Sequence, residues 1–148
     1  GDKMYKEIGE SFGSISRRTD SIFRKRCKDS FISKGLISYL IIIYENPGII
    51  ADEVSNILRI HKGATARALA KLESKNYIIR TKDSLDKRKY KLYATEKSND
   101  LCEELVNSYY EIAKESVSIL EVEEQEILLN ILKKIRIHVK NIDSGDFE

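Results

Sequence analysis

The stretch ADEVSNILRIHKGATARALAKLESKNYIIRTKDSLDKRKYKLYAT, residues 51–95, decides the fold. Val54, Ile57 and Leu58 share one face of a short helix over 51–58, and Asp52 and Glu53 stand in its first turn, where the helix dipole favours acids. Arg59, Ile60 and His61 make a turn. The next helix, over 62–75, carries Thr65, Ala68, Leu69 and Leu72 as its inward stripe. Asn76 stops it, because Asn tolerates the left-handed backbone of a helix C-cap. Residues 77–80 and 90–93 are β-prone runs that predict a hairpin, and the polar, basic connection 81–89 projects from it as a flexible loop. Two short helices, a tight turn and a basic hairpin are the order expected of a winged helix-turn-helix.

Outward from this core, Ile8, Phe12, Ile15, Ile22 and Phe23, with Thr19 filling the stripe, predict a long first helix ending near Lys28. Residues 34–45 are apolar nearly all round, as in a helix buried at the centre of a small domain, and Asn46-Pro47-Gly48 ends it. After Thr95, Leu101, Leu105, Ser108, Tyr109, Ile112, Ser116 and Ile119 trace another long helix. A last one carries Ile127, Leu128, Ile131, Leu132, Ile135, Val139 and Ile142, with a boundary near 120–123 and a frayed tail over 143–148. The expected fold is mainly α with a small β-hairpin wing. Residues 1–34 and 97–148, whose apolar stripes exceed what one small domain can bury, are the expected helical dimerisation region, and 35–96 the expected winged helix-turn-helix DNA-binding region.

The net charge of +2 over 148 residues hides an asymmetry. Residues 59–91 hold eleven basic against three acidic side chains, a net of +8, whereas 96–126 hold two against ten, a net of −8. The first segment suits a polyanion and the second repels one. The apolar run 36–44 is far shorter than the ~20 residues that cross a bilayer, so no membrane partner is expected. The N-terminus has no signal-peptide core, and Cys27 and Cys102 form no disulfide scaffold, so the expected location is cytoplasmic. His61 and His138 are the only histidines and neither has ligand or catalytic spacing, so no metal, cofactor or enzymatic activity is expected.

The inward stripe of 62–75 leaves Lys62, Gly63, Ala64, Ala66, Arg67, Ala70 and Lys71 facing outward. Small residues let the backbone approach base edges of double-stranded DNA, and Arg67 has the planar fork that pairs bidentately with guanine. Helix propensity alone also explains the alanines. Lys82, Lys87, Arg88 and Lys89 make the wing basic.

DKRKYKLYAT at 86–95, with NPGI at 46–49, KLESKNYI at 71–78 and TEKS at 95–98, resembles the DNA-binding core of the MarR family. The resemblance implies that Arg88 enters the minor groove and that Asp86 positions it. Physically, a narrow A·T-rich groove concentrates the negative potential that attracts Arg. It further implies a homodimer joined through Ile8, Phe12, Ile15, Ile127, Leu128, Ile131 and Ile135, whose recognition helices lie about 34 Å apart on a palindromic operator. Repression, released by a small aromatic or phenolic effector, is the implied activity. Tyr39, Tyr44, Tyr109 and Tyr110 are candidate lining for the effector cleft, although tyrosines on apolar helices are more often core residues. His61, Asn76, Ser98 and Ile50 depart from the family pattern, and Ile50 removes a polar helix cap.

Two alternatives remain. Cys27 lies among Lys25, Arg26 and Lys28, where positive charge lowers a thiol pKa, which would make the chain a thiol-based redox-sensing regulator. Cys102 reads as a helix-face residue with no activating neighbour. A winged-helix protein-interaction adaptor is the other alternative, although an adaptor has no need for a basic wing.

Overall fold

Residues 1–27 and 32–143 are described by the computed structural model. Along the chain come α1 (Asp2–Arg26), α2 (Lys34–Glu45), α3 (Ala51–Leu58), α4 (Lys62–Ser74), β1 (Ile78–Lys82), β2 (Tyr90–Ala94), α5 (Glu96–Ser116) and α6 (Val122–Ile142). The protein is therefore mainly helical, with a two-stranded antiparallel wing. Lys28 and the tail 144–148 lie outside the described residues.

The core forms where α2 meets α3, α4, α5 and β2. Leu40 and Ile43 of α2, Val54 of α3, Leu69 and Leu72 of α4, Ile78, Leu92 and Leu105 are essentially inaccessible to solvent. All four residues of the expected α4 stripe are buried. Ile57 is a correction: it shares a helical face with Val54 on paper but stays 56% exposed, and Ser55 is buried instead. Ile119 likewise lies beyond the end of α5 and is exposed. Cys102 lies on the buried face of α5, and desolvation pushes its pKa up to about 11.

The hairpin pairs Ile78 with Ala94 through Lys82 with Tyr90: β1 runs two residues further toward the loop than expected, whereas β2 begins at Tyr90 as expected. Lys82 is thus a strand residue. A short bridge from Ile49 adds to the other edge of β2: the Gly48 N–H donates to the Leu92 carbonyl at 2.8 Å, and the Leu92 N–H to the Ile49 carbonyl at 2.9 Å. Gly48 has φ +88°, a conformation that L side chains rarely adopt, so its backbone rather than its surroundings requires glycine.

Asn76 takes φ 63°, as its place after α4 demands. The two segments KLESKNYI and TEKS close on each other there. Thr95 Oγ1 donates to the Asn76 carbonyl at 2.7 Å, and the buried Ser98 hydroxyl donates to the Tyr77 carbonyl at 2.9 Å. Ser98 therefore supplies a hydrogen bond where a glycine would supply none.

Candidate nucleic-acid interface

The two short helices are locked by a buried side-chain hydrogen bond, Ser55 Oγ to Thr65 Oγ1 at 2.8 Å. Arg59 ends α3 in the left-handed conformation, φ 54° and ψ 48°, and the Ile60 N–H donates to the Ser55 carbonyl at 3.1 Å. At the N-terminus of α4, His61 Nδ1 accepts from the Gly63 N–H at 3.1 Å. His61 thus departs from the family pattern in residue type while performing the capping role, which needs its Nδ1 unprotonated. At the other cap departure, Ile50 has no side-chain acceptor, and the Glu53 carboxylate takes the Ile50 N–H at 3.3 Å.

Lys62, Ala66, Arg67, Ala70 and Lys71 are exposed on α4, while Gly63 and Ala64 are half-buried. An added Cβ on Gly63 would stand 3.3 Å from His61 Nδ1, so a larger residue there presses on the cap. The start of this helix faces the start of α3: Lys62 Nζ lies 3.8 Å from Asp52 Oδ1. Asp52 also lines a cleft of about 190 Å³ with Arg80, Arg88 and Lys89. The first turn of α3 is therefore a common neighbour of the recognition helix and the wing.

The wing loop is built rather than merely flexible. Asp83 accepts from the backbone N–H groups of Leu85 and Asp86, at 2.7 and 3.3 Å. Its own N–H donates to the Lys89 carbonyl at 2.9 Å, and the Lys89 N–H returns to the Asp86 carbonyl at 3.0 Å. Asp86 Oδ1 accepts from Arg88 Nε at 3.2 Å and from the Arg88 N–H at 3.1 Å. The hydrogen bond from the Arg88 side chain, then that from its backbone, holds the Asp86 carboxyl below the usual range. Backbone donation from Leu85 and then Asp86 does the same for Asp83. The Arg88 side chain is 92% exposed, Lys82, Lys87 and Lys89 are exposed, and Asp86 is half-buried beneath. The role of Asp83 escaped the sequence reading, although an Asp two and three residues before the groups it caps is a turn signal.

Away from this face, Ile8, Phe12, Ile15, Ile127 and Ile131 are exposed, Leu128 and Ile135 are half-buried, and no residue of α6 is buried within one chain. Tyr39 is a core residue and Tyr44 packs partly against the core, whereas Tyr110 is exposed. Tyr109 stacks on Phe23 with ring centroids 4.0 Å apart. Those two rings, with Asp20, Arg24, Cys27, Ile37 and Ser38, line a cavity of about 190 Å³ between α1, α2 and α5. Beside Cys27, the Arg26 guanidinium is engaged by Glu115, through Nη2 to Oε1 at 3.2 Å and a shorter Nη1 contact to Oε2. Among the described residues no group of three or more His, Cys, Asp or Glu side chains is placed to hold a metal ion, and no helix is long and apolar enough to cross a membrane.

The model of the MarR family matches residues 32–90. The chain is 32% identical over 137 residues to the HTH-type transcriptional regulator YybA of Bacillus subtilis, covering 93% of this chain and 89% of that protein. Its fold superposes on a MarR transcriptional regulator from Methanosarcina mazei with TM-score 0.81 and 26% identity, over 93% of this chain and 99% of that one. A MarR family regulator from Listeria monocytogenes, crystallised with a 26-mer DNA, matches with TM-score 0.81 and 26% identity, over 94% and 95% of the two chains. The chain belongs to the MarR family and is a DNA-binding transcriptional regulator of the winged helix-turn-helix type.

Proposed function

We propose that this regulator is a cytoplasmic homodimeric repressor that binds a palindromic operator and is released by a small-molecule effector. One observation carries the reading: an exposed arginine, clamped by Asp86 at the wing tip, shares a cleft with the first turn of α3, against which α4 begins. Lys62, Gly63, Ala64, Ala66, Arg67 and Lys71 read the major groove, Arg88 enters the minor groove, and Lys82, Lys87 and Lys89 neutralise phosphates. Residues 35–96 are the reading unit, and the exposed faces of α1 and α6 join two copies. The Listeria relative crystallised with DNA supports the partner.

The cavity beside Phe23 and Tyr109 supports the effector. At about 190 Å³ it falls below the usual range of ligand pockets, roughly 300–1,000 Å³, so it suits one aromatic ring, with Arg24 available to an acid group. A salt titration tests the DNA reading: affinity for duplex DNA falls linearly in log–log form, with a slope of about −0.9 per phosphate neutralised. Salt-independent or absent binding transfers the chain to the adaptor class. Release of a bound duplex by a phenolic acid such as 4-hydroxybenzoate, read by fluorescence anisotropy, tests the effector.

A further inference from the structure

The turn of the helix-turn-helix is tied to the far end of the chain. Arg59 Nε lies 2.9 Å from Asp143 Oδ2, and Arg59 Nη2 donates to Asp143 Oδ1 at 2.9 Å. Two parallel contacts from a planar fork fix orientation as well as distance, which a single lysine contact does not. The partners are 84 residues apart and belong to different parts of the fold. Arg59 ends α3 and stands three residues before α4. Asp143 caps α6, its N–H donating to the Val139 carbonyl at 2.8 Å, so its carboxylate is held at the helix end. A carboxylate at a helix C-terminus faces the negative end of the dipole, an unfavourable place that the Arg59 guanidinium offsets.

Both side chains are substantially exposed, 40% and 52%, so the pair adds little to folding stability. What it can hold is a geometry. α6 buries no residue within its own chain and makes little contact with the DNA-reading helices, so a bidentate ion pair at its tip has leverage over their relative position. We infer that Arg59 and Asp143 form a strut that positions the start of α4 against the tip of α6, and thereby sets the half-site spacing the dimer reads. The inference rests on the homodimeric, palindrome-reading function proposed above. Arg59 and Asp143 are positioning residues in it.

The test uses a duplex selected by the wild-type protein from a random-sequence pool, the same duplex with one base pair inserted between its half-sites, and a random duplex. Removing an acid beside a DNA-reading motif should, by long-range electrostatics alone, strengthen binding to every duplex. The strut demands the opposite on the selected one. Asp143→Asn should bind it about two- to fivefold more weakly, discriminate less against the insertion, and bind random duplex as well as wild type or better. Arg59→Lys, which keeps the charge but loses the fork, should lose spacing discrimination likewise, and Asp143→Glu should retain most of it. Melting temperatures and sedimentation should be unchanged throughout. Tighter binding of the selected duplex by Asp143→Asn, or intact spacing discrimination in it, overturns the strut alone. Failure of the wild type to bind any duplex, or to select paired half-sites, overturns the proposed function and the strut with it.

Discussion

Asp86 grips Arg88 at both ends of its residue, accepting the backbone N–H at 3.1 Å and the side-chain Nε at 3.2 Å, while the guanidinium remains almost wholly in solvent. A side chain oriented before it meets DNA surrenders less conformational freedom on binding. The acid is the instrument of that orientation, and its carboxyl titrates below the usual range because Arg88 favours the charged form.

Arg88→Ala should leave the melting temperature unchanged, since the side chain is exposed, yet lose roughly 1–3 kcal/mol of operator affinity. The slope of log affinity against log salt should become shallower by about one unit. An A·T-rich flank should suffer more than a G·C-rich one. Equal losses on both flanks would reduce Arg88 to a phosphate contact. Asp86→Asn should weaken binding in the same direction while raising the net charge, and titration of the wild type should show the wing's order lost only as pH falls below the usual carboxylate range, through the depressed pKa values of Asp83 and Asp86.

The dimer is checked by sedimentation. At micromolar concentration the wild type should show no monomer, and Phe12→Asp combined with Ile131→Asp should yield one, because both positions are about half exposed in a single chain, at 48% each. Helicity should survive in the monomer. A wild-type monomer with full helicity would remove the palindrome argument.

Within the helix-turn-helix, Thr65→Val strands the buried Ser55 hydroxyl and should cost about 1–3 kcal/mol in urea denaturation. Ser55→Ala combined with Thr65→Val should recover part of that loss, because neither polar partner is then left unpaired. Additive losses in the double mutant would mean the two hydroxyls act independently.

The cysteines should react unequally. At pH 8 an aromatic disulfide reagent should modify Cys27, which is half-buried, and spare Cys102 until the protein unfolds. Because the Cys102 thiol titrates near 11 when folded and near 9 as an ordinary thiol, its contribution to stability is complete below about pH 9 and declines as pH rises toward 11. Cys27→Ser should leave DNA binding and the peroxide response nearly unchanged. Peroxide release of the wild type but not of the mutant would establish Cys27 as a sensor.

The element order, the α4 stripe, the Asn76 cap and the basic wing were legible in the sequence because each depends on residues within one helical turn or one hairpin of each other. Periodicity, capping chemistry and local charge are short-range, so they are written where they act. Long-range partners are not written that way. That Cys102 and Ser98 face the core while Ile57 does not, that Ile49 extends the sheet through Leu92, and that Glu115 draws Arg26 depend on how the helices pack. Arg59 shows the limit most clearly. Its left-handed backbone carries none of the Gly or Asn signal that gave away residue 76, and its partner Asp143 is 84 residues distant, so only the tertiary structure could bring the two together.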